Sequence, residues 1–239
     1  MKRFSITNMS EIPHTLSQFE EGLKRTKRSI VLMGSTAQEN LSNAFQGLLT
    51  RNDELCESAI REDKAVNDFE REIGEEGMEI LTRFNPMATD LRAVVGAMKI
   101  ATNLERVSDE AENIARRAIK LQKKGDAPEV QLIEPVFRLA EALLEDAMRS
   151  FSDGDVELAL TLYNRDQKLD ELHRKTIKKL TQAMENNVEN LRIFLHCIFV
   201  VRCLERIGDH AVNIGEEVVY IHRAADIRHV GPDALSEEE

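Results

Sequence analysis

The sequence predicts an all-α chain built as two tandem three-helix bundles, and three observations carry the prediction. Apolar residues recur at spacings of three and four, the period of a buried helix face. Turn-forming residues are few, five prolines and eleven glycines in 239 residues, and they gather in a few places. The third observation is internal: the second half of the chain repeats the first.

A β-rich chain would need turn residues every 8–12 positions or so, and this one lacks them. The hydrophobic share of 42% can fill a core, but with no Trp, two Tyr and nine Phe that core must be mostly aliphatic. A net charge of −11 argues against nucleic acid as a partner, since a phosphate backbone calls for clustered positive charge. The one basic run, Lys24, Arg25, Lys27 and Arg28, reads first as a solvated helix face, with acidic lipid or a protein partner as alternatives.

The three cysteines, Cys56, Cys197 and Cys203, are odd in number and show no CxxC spacing, so reduced core thiols are expected. The N-terminus lacks the apolar stretch of a signal peptide. The longest apolar run, residues 193–201, contains His196 and falls far short of the ~20 residues of a span. It reads as a buried helix segment, and the expected location is the cytoplasm.

The repeat is sharpest where Leu104-Glu-Arg-Val-Ser-Asp-Glu-Ala-Glu-Asn-Ile114 returns as Leu204-Glu-Arg-Ile-Gly-Asp-His-Ala-Val-Asn-Ile214, with seven of eleven positions identical. The offset is 100 there. Upstream it becomes 103, where Asp63, Val66 and Phe69 align with Asp166, Leu169 and Leu172. The register shifts between Asn85-Pro86 and Asn186-Asn187, where a loop between helices tolerates a change of length.

Each half then divides into three helices. The first helices are expected at about 15–51 and 127–151, the middle ones at 53–84 and 155–187. Asp153-Gly154-Asp155 reads as a turn followed by an N-cap. The third helices carry the stripes Ala97, Ile100, Leu104, Val107, Ala111, Ile114, Ala118 and Cys197, Val200, Leu204, Ile207, Ala211, Ile214, Val218. The expected units are residues 1–122, residues 123–224 and a polar tail at 225–239. Long helices joined by short loops pack as up-down bundles.

Packing does not explain why Glu105, Asp109, Arg106 and Asn113 return as Glu205, Asp209, Arg206 and Asn213. Carboxylates four apart leave one face of a helix, and like charges at that spacing cost roughly 0.2–0.5 kcal/mol unless something positive sits between them. A cation would serve, and so would Arg106 or Arg206. The middle helices add Asp166 and Asp170, with His173 beyond them, matched in the first half by Asp63, Asn67 and Glu70. Oxygen ligands without thiolates favour Mg, Mn, Ca or iron, and a histidine admits zinc. The competing reading is an Arg–carboxylate–Asn network that fixes bundle register without metal. A metal-dependent oxidase or hydrolase is the enzymatic alternative. No GxxxxGK[ST], GxSxG or HExxH motif supports it, and the only ExxH, Glu11 to His14, is interrupted by Pro13.

Two copies of Leu-Glu-Arg-[Ile/Val]-[Gly/Ser]-Asp, one in the last helix of each half, resemble the PhoU family of phosphate-uptake regulators. Asp63-Lys-Ala-Val-Asn67, Asp90-Leu-Arg92, Arg165-Asp-Gln-Lys-Leu-Asp170 and Arg228-His-Val-Gly231 extend the resemblance over nearly the whole chain. It implies two three-helix bundles related by a pseudo-twofold axis, often as a homodimer, with E(D)xxxD motifs that hold iron, zinc or other divalent ions. The implied ligands are Glu105, Asp109, Asp63 and Glu70 in the first half, and Glu205, Asp209, Asp166 and Asp170 in the second. Asn67 departs from the pattern by replacing a carboxylate. The implied role is not enzymatic: a negative regulator of phosphate uptake and starvation signalling, linking the phosphate ABC transporter's ATPase to a sensor histidine kinase.

Overall fold

The structure, a computed structural model, describes residues 11–123 and 127–228. Six α-helices account for nearly all of it: α1 (Glu11–Thr50), α2 (Asp53–Phe84), α3 (Thr89–Gln122), α4 (Glu134–Asp153), α5 (Val156–Asn186) and α6 (Leu191–Arg223). No strand occurs among the described residues.

The helix ends follow local chemistry. Asn52 caps α2 by accepting from the backbone N–H groups of Glu54 and Leu55 at 2.9 and 3.3 Å, and Asp155 caps α5 through the N–H of Leu158 at 2.9 Å. These two caps hold the 103-residue offset. Gly154 ends α4 in the left-handed region at φ 69°, where glycine alone is unstrained. The expected helix at 127–151 is corrected: residues Pro128–Leu132 form a 3₁₀ turn and α4 starts at Glu134. Pro135 lies in the first turn of α4, where its missing N–H costs nothing, but deeper in a helix its ring would clash with the preceding turn.

α1 and α4 run antiparallel to each other, as do α3 and α6, and both pairs join the halves. The rings of Phe45 and Phe137 stack at 3.9 Å. The pair related to it by the repeat is Gly34 and Met148, where a Cβ on Gly34 would lie 2.3 Å from the Met148 methyl. The α3–α6 seam behaves alike. Lys99 donates to Glu217 at 3.0 Å, and the related pair is Arg117 over the ring of Phe199 at 4.0 Å. Contacts that exchange partners under the repeat offset define a pseudo-twofold axis, and their register puts Ser108 and Gly208 beside it. One buried apolar core, including Phe45, Leu104, Phe137 and Leu204, runs through both halves.

The symmetry fails at the start of α1. That helix has 40 residues against 20 in α4, and its early turns lie on α2 and α3 through Phe19, Ile80 and Val94. The start of the polar tail packs on the bundle, since Ile227 is buried in the core and Arg228 pairs with Asp226; residues 229–239 lie outside the described ones. One further expectation is corrected. The apolar run at 193–201 is only half buried. Leu195 and Phe199 are each 42% exposed, since only one face of α6 meets the core.

Candidate functional site: two unequal carboxylate clusters

The repeat brings α2 against α3 and α5 against α6, and each groove gathers the predicted carboxylates. In the first, Asp63 and Glu70 of α2 lie beside Glu105 and Asp109 of α3. In the second, Asp166 and Asp170 of α5 lie beside Glu205 and Asp209 of α6. The grouping shows in the fields these side chains feel. Burial, then Asp109, raises the Glu105 carboxyl above the usual carboxylate range, with Glu70 and Asp63 adding to it. Burial, then Asp63, raises Asp109.

The second cluster is under greater stress. Burial, then Asp209, Asp170 and Glu205, pushes Asp166 up to about 7. Burial, Glu205 and Asp170 raise Asp209 to about 6 against the opposing pull of Arg206. Asp166 Oδ1 is buried with no hydrogen-bond partner. His173 Nε2, one turn beyond Asp170, is also buried without one.

The first cluster has what the second lacks. Ser108 Oγ donates to Asp63 Oδ1 at 2.8 Å, and Asn67 Nδ2 donates to Asp63 Oδ2 at 2.9 Å. Asn40 of α1 donates to Ser108 Oγ at 3.2 Å, completing a buried relay of side chains. Arg106 lies 3.2 Å from Glu105 Oε2 and donates to Asp109 at 3.4 Å, and Thr102 donates to Glu70 at 3.2 Å. Arg206, the counterpart of Arg106, turns away to Glu110 of α3 at 2.9 Å. Gly208 stands where Ser108 would be, and a Cβ there would lie 2.8 Å from Asp166 Oδ1.

Sequence reasoning found the eight carboxylates but missed Asn40, Ser108 and Gly208, which set the state of Asp63 and Asp166. The one available signal was the serine-to-glycine difference inside an otherwise matching motif. As the side chains are placed, no three His, Cys, Asp or Glu groups among the described residues close into a ready ligand cage. The donor chemistry of the second cluster still suits a hard cation: oxygen-rich, acceptor-only when ionised, and with an orphaned buried oxygen. Enzymatic machinery is not evident in either groove, and the three thiols are buried and unpaired.

The basic run also resolves. Arg25 pairs with Glu76, and Lys27 donates to the Ser152 carbonyl at 2.9 Å, while all four cations remain on exposed surface. No helix among the described residues is long and apolar enough to cross a membrane.

The family model for the PhoU domain matches twice, at residues 30–118 and 133–218. The two starts are 103 apart and the two ends 100 apart, the same pair of offsets that the motifs give. The chain is 32% identical over 233 residues to the phosphate-specific transport system accessory protein PhoU homolog of Pseudomonas aeruginosa, covering 97% of this chain and 96% of that one. It is 30% identical over 222 residues to the accessory protein PhoU of Escherichia coli K12, covering 93% and 92%. The crystal structure of PhoU from Pseudomonas aeruginosa superposes with a TM-score of 0.84 at 31% identity, over 87% of this chain and all of that one. The phosphate transport system regulatory protein PhoU from Streptococcus pneumoniae shares the fold, with a TM-score of 0.80 at 23% identity over 87% of this chain and 99% of the other. With a doubled family domain on the two halves and full-length likeness in sequence and fold, this chain belongs to the PhoU family.

Proposed function

We propose that this chain is a negative regulator of phosphate uptake and of phosphate-starvation signalling. It acts in the cytoplasm as a homodimeric adaptor between the ATPase of a phosphate ABC transporter and a sensor histidine kinase. The observation that carries the reading is family membership over nearly the whole chain, with relatives named as accessory proteins of phosphate-specific transport. The architecture suits an adaptor. Its long exposed helix faces offer surface, and its grooves offer neither a positioned nucleophile nor a general base beside a pocket.

The second carboxylate cluster is the part of the molecule suited to a metal ion. Asp166, Asp170, Glu205 and Asp209, with His173 in reach along α5, would hold a divalent or ferric ion, iron or zinc by family likeness. Bound there, the ion neutralises charges that the protein leaves uncompensated and ties α5 to α6. The first cluster, Asp63, Glu70, Glu105 and Asp109, fits that role less well because both Asp63 oxygens accept hydrogen bonds and the Arg106 guanidinium sits beside Glu105 and Asp109.

A pull-down of the tagged protein from phosphate-replete cells, with elemental analysis of the eluate, tests both parts. Recovery of the transporter ATPase or the sensor kinase supports the adaptor role. Failure to recover either under conditions that retain weak complexes refutes it. A Glu205→Ala/Asp209→Ala variant should lose the metal and keep its helicity, since both side chains lie off the apolar stripe; full metal content would remove them from the ligand set.

A further inference from the structure

We infer that Asn40, Asn67 and Ser108 close the first carboxylate cluster to cations, so that only the second half of this chain loads a metal. The inference rests on the metal reading above and goes beyond it, because it assigns the difference between the halves to three named residues.

Both oxygens of Asp63 accept hydrogen bonds, from Ser108 and Asn67, and Ser108 is itself held by Asn40. Asn40 and Ser108 are essentially sealed from solvent at 1% and 0% exposure, and Asp63 is 8% exposed. An incoming cation would have to break this relay in a place that water can hardly reach to compensate the freed donors. Unpaired buried donors cost about 1–3 kcal/mol each, and the Arg106 guanidinium beside Glu105 and Asp109 repels the ion as well.

Every counterpart in the second half points the other way. At the 103 offset Asn40 becomes Leu143, which is fully buried and has nothing to donate, and Asn67 becomes Asp170. At the 100 offset Ser108 becomes Gly208, and Arg106 becomes Arg206, which is committed to Glu110 across the seam. Three hydrogen-bond donors are thus absent from the second cluster, its arginine is shared with Glu110, and one carboxylate is added. Asp166 Oδ1 is left buried without a donor. Asp63 is thus fully hydrogen-bonded and its counterpart Asp166 is not; the one buried first-cluster oxygen without a hydrogen bond, Glu105 Oε2, already faces the Arg106 guanidinium at 3.2 Å.

The test uses the full chain, stripped with chelator, then dialysed against Mn²⁺ or Zn²⁺ alone and measured for bound metal per chain. The wild type should bind in the second half only: Glu105→Ala/Asp109→Ala leaves the stoichiometry unchanged, and Glu205→Ala/Asp209→Ala abolishes it. Asn67→Asp/Ser108→Gly, which installs the second half's residues in the first, should add a metal equivalent and tighten binding to the first cluster by about 10–100-fold. Asn67→Asp/Ser108→Ala gives the same comparison with better helix propensity should the glycine variant unfold. Loss of metal in Glu105→Ala/Asp109→Ala, or no gain in either folded Asn67→Asp variant, overturns the inference. A wild type that takes no metal refutes the metal reading. If the Asn67→Asp variants then bind an ion, the assignment of the three closing residues stands by itself; if they do not, it fails too.

Discussion

Arg206 reaches from α6 to Glu110 of α3, Nη1 donating to Oε1 at 2.9 Å, while Arg106 and His210, their counterparts across the pseudo-twofold axis, form no such bond. Glu110 is almost wholly buried, with 11% of its side chain exposed, whereas Arg206 is half exposed. The pair therefore matters chiefly for the carboxylate it satisfies. On the other side of the axis, His210 Nδ1 meets Asn103 Oδ1 at 3.0 Å, and Arg106 is left to turn toward Glu105 and Asp109.

Arg206→Ala should cost about 1–3 kcal/mol, because it takes the cation from a buried carboxylate and leaves it only Asn113 at 3.5 Å and the Cys203 thiol. Arg206→Ala combined with Glu110→Leu should cost clearly less than the two single losses summed, since the doubly changed seam has no orphaned charge. Urea unfolding of the four proteins closes the cycle. Strict additivity would mean that the two residues do not interact.

Gly208 is fixed by what stands opposite. A Cβ on it would lie 2.2 Å from Leu169 Cδ2 as well as 2.8 Å from Asp166 Oδ1. Gly208→Ala is thus an overpacking change expected to cost about 1–3 kcal/mol despite its better helix propensity. Leu169→Val, which gives the second half the residue of the first at Val66, should recover most of the loss. Thermal denaturation of the single and double variants measures it, and an unaffected Gly208→Ala would show that α5 and α6 are not in this contact.

The raised carboxyls predict a pH dependence for metal-free protein. Asp166 and Asp209 titrate near 7 and 6 when folded, against ~3.9 for a free Asp. The folded state binds these protons more tightly, so their contribution is fully present below pH ~4 and is lost as pH rises through 6 and 7. Half-buried His210, its imidazole held below the usual range by desolvation, acts in the opposite sense. Melting temperatures in chelating buffer from pH 5 to 8 should therefore fall less steeply in Asp166→Asn than in wild type. Parallel profiles would show that the cluster carries no such strain.

The thiols offer a simple check on the core. Burial pushes Cys56 to about 11 and Cys197 and Cys203 to about 12, so thiolate is scarce at neutral pH. All three should resist a thiol reagent in native protein and react together in denaturant. Fast labelling of a native cysteine would place that helix face at the surface.

The parts of this fold legible in sequence were those with a period or a repeat. The stripe around Leu104 and Leu204 and the N-cap at Asp155 follow from rules acting over a few residues, and the duplication supplied the second half. What escaped depended on contacts between distant helices. Nothing local marks Asn40 as the partner of Ser108, because the two are joined only when α1 packs on α3. The burial of Ile227 likewise depends on a surface that does not exist until the bundle forms. The start of α4 was misjudged for a local reason, the two prolines at 128 and 135. As for the site, spacing picked out eight carboxylates but could not tell which were already hydrogen-bonded.

The pseudo-twofold seam has an evolutionary consequence. A half of this chain standing alone would meet a second copy of itself through its third helix, and any change beside the axis would then appear on both sides at once. A serine at that place would close both grooves, and a glycine would open both. Joining the copies into one polypeptide removes that constraint. One side could take Ser108 and become an anchor, while the other took Gly208 and stayed receptive, a division of labour that a symmetric pair of identical chains is unable to encode.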